Sequence, residues 1–482
     1  MPDKRLNRRL VEMASVMAGK PADSIPQAFD DWGGAKGAYR LIENKRMEPD
    51  LLRRAFREQT ARDCQGQTTI IVVQDTTSLS FPRAHATKDL GPITNNDTPG
   101  LHLHSAVALN EDGLPIGLLH QHVWARPWKD GQGPENDRNA KSESAGKSAE
   151  TGRFKETGNK AQGGQSAASG GSKRGKPIEQ KESFKWVRGI REAREALAEG
   201  LAAELRPKVI WIADRESDIH DALAEANRPN ESFVIRCNQN RAVITEQGEH
   251  ARAHDYIRTV PPLGTMDVEI RRNGKRPART ARLELRAARL TLRPRCPYHR
   301  GRQPLTLNLV EARESAPPEG CEPVHWMLWT AEPASTPAQI RRVVGLYALR
   351  WRVEDYHQIL KSGCRIEDVR FHTAERIALA LALYGPIAVR ILQLRDLSRL
   401  EPESPCTAVL GDTEWRVLHT QIHKRPPEPK APPPTIRQAV LWIGRLGGHL
   451  GRKSDGMPGI TTLWRGWRDL TRLVDFHAAL HG

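Results

Sequence analysis

The sequence predicts an α/β protein in which a mixed core is interrupted by a β-rich block and flanked by helical ends. Two apolar runs, residues 68–73 (TTIIVV) and 209–213 (VIWIA), are typical of strands buried on both faces. A helical period over about 186–205 precedes the second run and a short strand is predicted at 233–235, an order that indicates an α/β domain. From residue 266 to about 329, apolar and polar residues alternate, which predicts a separate β-rich block.

Each of the two buried strands is predicted to end at an aspartate. Asp75 follows the first run and Asp214 follows the second, and the carboxyl ends of strands are where α/β sheets present ligands and catalytic groups. Two neighbouring carboxylates can share hard divalent cations such as Mg²⁺, and two ions about 4 Å apart can stabilise both the attacking and the leaving oxygen at a phosphate. The alternative is that each aspartate only caps a turn.

Between the two aspartates the sequence predicts an antiparallel meander and then a long loop. Strands at 104–109 and 114–124 are joined by the turn residues Glu-Asp-Gly at 111–113. Residues 129–181 are dominated by Gly, Ser, Lys, Glu and Ala and contain only two large apolar side chains. Such a stretch cannot bury enough apolar surface to offset its ordering entropy, so we expect a disordered insertion in a surface loop.

The amino-terminal segment predicts a basic amphipathic helix. Apolar residues between Leu6 and Met17 recur at helical spacing, with basic residues among them. Arg8 and Arg9 are candidates for contact with DNA phosphates, and a solvated surface face is the alternative. A second short helix at about 38–42 is predicted to close this unit.

The charge balance favours a polyanionic partner. The 482 residues contain 74 Lys and Arg against 58 Asp and Glu, a formal charge of +16 at pH 7, which suits nucleic acid or an acidic membrane surface. The charged amino terminus is unlike a secretory signal and no run of about 18 apolar residues is predicted to span a bilayer, so a cytoplasmic protein is expected. The six cysteines lack a CxxC pair, and Cys296 with His299 is too small a set to predict a zinc site.

A long helix is predicted from Pro337 to Lys361, with an apolar helix after it from 377 to 394. At 100° per residue, Tyr347, Arg350, Glu354 and Lys361 point within one arc of about 60°. A carboxylate among cations suits a metal ligand beside groups that bind phosphate. The alternative is a solvated face with an i,i+4 ion pair between Arg350 and Glu354.

The same residues carry a resemblance to a known family. The run Tyr347-x2-Arg350-x3-Glu354-x6-Lys361 resembles the YREK signature of the DDE transposases of bacterial insertion sequences, of the cut-and-paste, insertion-sequence-four-like kind. The segments QDTTSLSF around Asp75, IADRESDIHDAL around Asp214 and DGMPGITTLWRGW near the carboxyl terminus are similar to the same family. These matches run in order along nearly the whole chain outside the predicted insertion.

The resemblance implies an RNase H-like catalytic core interrupted by a β-rich insertion domain. We therefore expect five regions. A helical DNA-binding domain (1–65) is followed by the first part of the core (66–236), which holds the disordered insertion 129–181, and by the β-rich domain (237–330). The second part of the core (331–398) and a helical carboxyl-terminal domain (399–482), a candidate for dimerisation, complete the chain.

The resemblance also implies an activity. Asp75, Asp214 and Glu354 would be the catalytic carboxylates and would hold two Mg²⁺ ions, for which Mn²⁺ substitutes. The enzyme would cleave double-stranded DNA at transposon ends and join the freed ends to target DNA by a cut-and-paste mechanism, as a homodimer on paired ends and with no membrane partner.

Further residues would contact DNA by the same resemblance. Tyr347, Arg350 and Lys361 would grip the DNA backbone near the scissile phosphate, and Arg236 is a weaker candidate contact. Trp326 matches an aromatic residue that stacks on a base flipped out of the transposon end. A Trp buried in the core is the alternative for that position.

Two other functions compete with the active transposase. The family's amino-terminal region usually begins some fifteen residues before DKRLNRRL, which motivates a non-cutting relative that binds ends and represses transposition. A general RNase H-like nuclease would cut DNA without any preference for particular ends. The intact set of three carboxylates favours the active enzyme.

Overall fold

A computed structural model describes residues 3–20, 23–29, 31–84, 86–93, 98–129, 177–270, 278–293, 302–452 and 455–481. The predicted disordered insertion 129–181 lies almost wholly outside these residues, as does the pair Cys296 and His299. Asn273-Gly274, a dipeptide in the β-rich block that is typical of a hairpin turn, also lies outside them. At the described end of the insertion, Ile178–Gln180 forms a 3₁₀ turn. The predicted boundary at 181 is therefore wrong by a few residues.

The helices occupy both ends of the chain and the segments that cover the central sheet. Their bounds are α1 (Lys4–Gly19), α2 (Ile25–Ala28), α3 (Trp32–Ile42), α4 (Pro49–Asp63), α5 (Phe184–Gly200), α6 (His220–Glu225), α7 (Ala253–Thr259), α8 (Pro337–Ala348), α9 (Trp351–Gln358), α10 (Ala374–Leu400), α11 (Asp412–His423), α12 (Ile436–Leu446) and α13 (Ile460–His481). The protein is thus mixed α/β, with helical amino- and carboxyl-terminal parts around a central mixed sheet.

Twelve strands of the described residues form one sheet in the order β2-β3-β1-β5-β6-β12-β11-β10-β7-β8, with β4 paired to β3 and β9 to β10. The strand bounds are β1 (Thr69–Ser80), β2 (Gly91–Pro92), β3 (Pro99–Leu109), β4 (Pro115–Trp124), β5 (Lys208–Ala213), β6 (Glu231–Arg236), β7 (Ala242–Thr245), β8 (His250–Arg252), β9 (Gly264–Ile270), β10 (Arg279–Leu292), β11 (Leu305–Glu314) and β12 (His325–Thr330).

The predicted meander is confirmed. β1 pairs antiparallel with β3, and β3 pairs antiparallel with β4. The turn between β3 and β4 contains Gly113 at φ +81°, a conformation that favours glycine. On the other side, β5 pairs parallel with β1 and β6 pairs parallel with β5, so the core combines a meander with two parallel strands.

The core sheet is covered on both faces because its strands are apolar on both faces. On one face Trp186, Val187 and Ile190 of α5 pack in a cluster with Val72 and Trp211. On the other, residues of α8, α9 and α10 pack in a second cluster, which also includes side chains of the amino-terminal helices. Helices α11 to α13 have a third cluster of their own around Trp415 and Trp467.

The β-rich block is not separate from the core at the level of backbone hydrogen bonds. β12 pairs antiparallel with β6, for example Leu328 with Arg236, and β11 and β10 continue from β12 in the same sheet. The alternating pattern is correctly predicted. Its union with the core depends on the pairing of two strands that lie about ninety residues apart in the sequence, which periodicity does not report.

Helix α10 corrects the expectation that no segment is apolar enough to span a membrane. Ala374–Leu400 has the length and composition of a membrane span, but 78% of its apolar window is buried inside the protein. The core helix of a soluble protein passes the same test, so α10 gives no evidence for a membrane.

The long helix predicted over 337–361 is three consecutive segments. α8 and α9 are joined through i,i+3 hydrogen bonds, such as Arg350 N to Tyr347 O at 3.0 Å. After α9 the chain forms a π-helical turn at Ile359–Gly363. A tightened turn and a π turn both change the rotation per residue, so the angle calculated for Lys361 at a constant 100° does not hold.

Candidate active site

The sheet register brings Asp75 and Asp214 together. The parallel pairing of β1 with β5 ends at Val73 and Ile212, and each aspartate lies two residues beyond its member of that last pair. β1 itself continues to Ser80 on β3, where Asp75 lies opposite Ser105. Asp75 is therefore within a strand rather than at its end as predicted, because the polar residues after it still pair with β3.

Local hydrogen bonds orient both aspartates. Asp75 Oδ1 accepts from the Thr76 backbone N–H at 2.7 Å. Asp214 Oδ1 accepts from the Glu216 N–H at 2.8 Å and caps the 3₁₀ turn Arg215–Ser217. The turn-capping alternative is thus correct for Asp214, but the cap uses one carboxylate oxygen and leaves the other without a role in it.

Arg350 lies between Glu354 and Asp75. Its Nη1 lies 2.6 Å from Glu354 Oε1 and 3.7 Å from Asp75 Oδ2. The predicted i,i+4 ion pair is present, but the Arg350 side chain is only 12% exposed, so this is not a solvated face. α9 therefore directs Glu354 toward the two strand carboxylates through a buried guanidinium.

Burial and neighbouring carboxylates disfavour the ionised forms of Asp75 and Asp214. Burial and, after it, the charge of Asp214 raise the pKa of Asp75 to about 7, and Arg350 opposes this shift without cancelling it. Burial also raises the pKa of Asp214, with the charge of Glu216 adding to the effect. A divalent cation would relieve this repulsion and favour the ionised carboxylates.

The donor set has the right chemistry for a hard cation, but it is not arranged as a finished metal cage. Within the described part of the chain, no three His, Cys, Asp or Glu side chains are grouped so as to hold one ion. At this site Glu354 is paired with Arg350. Asp75, Asp214 and Glu354 could share a metal if Glu354 turned toward the aspartates, either by leaving Arg350 or by offering Oε2 while Oε1 keeps the ion pair.

An aromatic and cationic group borders the carboxylates. The rings of Tyr347 and Trp326 meet edge to face, with centroids 5.4 Å apart, and the Arg350 guanidinium lies 5.8 Å from the Tyr347 ring centre. Arg236 Nη2 donates to the His325 carbonyl at 3.3 Å, next to Trp326. Trp326 is partly exposed, whereas Trp329 on the same strand is fully buried.

Three family models match successive parts of the chain. The Transposase DNA-binding model matches residues 1–47, the Transposase DDE domain model matches 183–387, and the Transposase Tn5 dimerisation domain model matches 386–479. The protein is a DDE-type DNA transposase. None of the three matches favours the alternative of a non-cutting repressor.

The matches assign properties to parts of the transposase. The first and last support DNA binding and formation of a homodimer, and a DDE domain implies dependence on a divalent metal in general. The matched DDE region contains Asp214 and Glu354, while Asp75 precedes it. Asp75 joins the site through the sheet register and its approach to Arg350.

Among the described residues, the other predicted DNA-contact residues of the transposase form no ion pair with the three carboxylates. Lys361 is on the π turn. Arg8 is exposed on α1, and Arg9 forms a 3.4 Å ion pair with Glu12 on the same helix. Both arginines lie in the region that matches the DNA-binding model.

The sequence did not reveal the buried histidine that contacts the cross-strand neighbour of Asp75. His357 Nε2 lies 3.2 Å from Ser105 Oγ, and Ser105 is the cross-strand neighbour of Asp75. Burial lowers the pKa of His357 to about 3, with the charge of Lys361 adding to the shift, so the imidazole is neutral. The spacing Glu354-x2-His357 is the one signal that could have drawn attention to it.

Lys185 is a second residue that the sequence did not single out. Its Nζ lies 3.1 Å from Glu216 Oε2, and its charge lowers the pKa of Asp214 against the raising effect of burial. Lys185 therefore supplies positive charge at the rim of the carboxylate site, on the α5 side.

Proposed function

We propose that Asp75, Asp214 and Glu354 are the catalytic carboxylates of this transposase and hold two Mg²⁺ ions within an RNase H-like core. The observation that carries this is their placement: two aspartates lie just beyond the last paired residues of parallel strands, and a single buried arginine joins the third carboxylate to the first. The core order β4-β3-β1-β5-β6, a meander followed by two parallel strands, supports the fold assignment.

The reaction we propose is cleavage at transposon ends followed by strand transfer into target DNA, by a cut-and-paste mechanism in the cytoplasm. A homodimer would hold the two ends together. When bound, the metal ions supply Lewis-acid activation of water, and later of the freed 3′-hydroxyl, for attack on phosphate. Mn²⁺ would replace Mg²⁺ because carboxylate and water ligands suit both ions.

The chain's own residues would bind and orient the DNA. The Arg350 guanidinium is placed to pair with a phosphate when Glu354 turns to the metal, because a planar guanidinium binds carboxylate and phosphate with similar geometry. Burial raises the pKa of Tyr347, so its hydroxyl is neutral and can donate to a phosphate oxygen. In this proposal Tyr347, Arg350 and Lys361 are the YREK residues that contact the backbone.

Trp326 would stack on a base displaced from the transposon end. Its partial exposure and its edge contact with Tyr347 leave it both accessible and held in place, which a base-stacking residue requires. Arg236 would contact the DNA beside it. Arg8 and Arg9 would contribute phosphate contacts from the amino-terminal domain.

The decisive experiment compares wild type, Glu354→Gln and a control, Glu204→Gln, on the DNA that flanks the gene. Glu204 is an exposed carboxylate after α5. With Mg²⁺ present, we expect wild type and Glu204→Gln to cleave at defined ends. Glu354→Gln should shift the same DNA in a gel without cleaving it.

Cleavage by Glu354→Gln at a rate close to that of wild type would overturn the triad. Cleavage at random positions by all three proteins would replace the transposon-end function with that of a general nuclease. Omission of the metal, with a chelator present, should stop cleavage by wild type and by the control.

A further inference from the structure

Helix α9, which carries Glu354, is joined to its neighbours on both sides by irregular turns. It has eight residues, between the i,i+3 joint that follows α8 and the π turn that follows Gln358. Short 3₁₀ segments within helices often mark hinges, and π turns occur often at functional sites. Side-chain contacts of α9 are therefore the candidates for what fixes the direction of Glu354.

A buried network of four charges makes those contacts. Arg352 and Asp355 belong to α9, and Arg395 and Asp396 belong to α10. Arg352 Nη1 donates to Asp396 Oδ1 at 3.1 Å, Arg395 Nε donates to the same oxygen at 2.7 Å, and Arg395 Nη1 lies 2.8 Å from Asp355 Oδ2. Two cations thus alternate with two carboxylates, and the network is neutral as a whole.

The burial of these groups is close to complete. The side chain of Asp396 is 0% exposed and that of Arg395 is 4% exposed, while Arg352 and Asp355 are each 13% exposed. A buried ion network contributes little net stability because desolvation offsets the attraction, but breaking it is costly and its geometry is specific. Such a network is suited to fixing one helix against another.

The network holds α9 on the side away from the carboxylate site. At 100° per residue, Arg352 and Asp355 lie within about 60° of each other, whereas Glu354 points about 100° or more away from both. Arg350 lies near Asp75 on one side of the helix, while Arg352 and Asp355 form ion pairs with α10 on another. Any rotation of α9 that moved Glu354 would have to break ion pairs in the protein interior.

The α10 half of the network lies in the region that matches the dimerisation model, residues 386–479. We propose that Arg395 and Asp396, through Arg352 and Asp355, are positioning residues that set the direction of Glu354, so that the dimerisation region supports the metal site of its own subunit. This inference rests on the proposed catalytic role of Glu354.

The test is Asp355→Asn in the full-length protein, with cleavage of the transposon-end DNA measured over a range of Mg²⁺ concentrations. Loss of a group that orients a metal ligand typically costs about 10- to 100-fold in metal affinity. We expect the Mg²⁺ concentration for half-maximal cleavage to rise at least about tenfold, with end binding in a gel within about twofold of wild type. Excess Mg²⁺ should restore most of the rate.

A matched control removes a buried carboxylate charge elsewhere. Glu314 accepts from Arg279 Nη2 at 2.7 Å between β10 and β11 and is nearly fully buried. Glu314→Gln should leave the Mg²⁺ requirement unchanged. Arg395→Lys, which keeps the charge, should fall between wild type and Asp355→Asn.

Two results would overturn the inference. One is an unchanged Mg²⁺ requirement in Asp355→Asn, with the rate lowered only in proportion to the folded fraction measured by thermal unfolding. The other is an equal rise in Asp355→Asn and Glu314→Gln. If Glu354→Gln also cleaved normally, the proposed triad itself would fail, so the two failures are distinguishable.

Discussion

The strand carboxylates and the helix carboxylate of this transposase are held in different ways. Asp75 and Asp214 are fixed by the register of β1 and β5, are partly buried, and have raised pKa values. Glu354 is 37% exposed, paired with Arg350, and carried by a short helix between two irregular turns. In the proposed metal site, the sheet would thus supply two fixed carboxylates that repel each other, and the helix would supply a third that is paired with Arg350 in the absence of metal.

The largest effect that tests this comparison is the pH dependence of cleavage at low metal concentration. The pKa of Asp75 is raised to about 7 by burial and by Asp214, and metal binding requires the ionised carboxylate. At subsaturating Mg²⁺ the cleavage rate should rise up to about tenfold per pH unit below pH 7 and level off above it. Raising Mg²⁺ should move the midpoint to lower pH. A pH midpoint that does not change with the Mg²⁺ concentration would contradict the proposed role of Asp75 and Asp214 as metal ligands.

A smaller effect is expected on the stability of the metal-free protein. The pKa of Asp75 lies at about 7 in the folded chain against an ordinary value of 3.8. The folded state therefore holds the proton more tightly, and stability falls as pH rises from about 4 to about 7. Asp75→Asn should increase the free energy of unfolding by roughly a few kcal/mol above pH 7 and by almost nothing near pH 4.

Thermal unfolding in the presence of a chelator, at pH 5 and pH 8, measures this difference. The variant should unfold at a higher temperature than wild type at pH 8, with a smaller gain at pH 5. An equal gain at both values would show that the effect of the substitution is unrelated to ionisation of Asp75.

The smallest effect, of opposite sign, is expected for Glu354→Gln under the same metal-free conditions. This change removes the ion pair with Arg350 rather than a repulsion. Because the carboxylate is partly exposed, the loss of stability should be no more than about 1 kcal/mol. If Glu354→Gln were more stable than wild type, the ion pair with Arg350 would not stabilise the protein, and Glu354 would not differ from Asp75 in this respect.

Sequence reasoning located the candidate site better than it described the site's geometry. The apolar runs before Asp75 and Asp214 correctly predicted two core strands, and the spacing from Tyr347 to Glu354 correctly predicted helical structure. The continuation of β1 past Asp75 was missed because strand length there depends on pairing with β3. The break between α8 and α9 was missed because residue spacing alone does not distinguish i,i+3 from i,i+4 hydrogen bonds.

The sequence by itself determined which segments are strands and helices, which carboxylates end up near the core, and the resemblance to DDE transposases, because these follow from local periodicity and from residues at short fixed spacings. Only the tertiary structure decided that the β-rich strands join the core sheet, that Arg350 lies between Glu354 and Asp75, and that Arg352 and Asp355 meet Arg395 and Asp396. These features join residues from about forty to nearly three hundred positions apart, and their energies come from burial and charge pairing that no local pattern encodes.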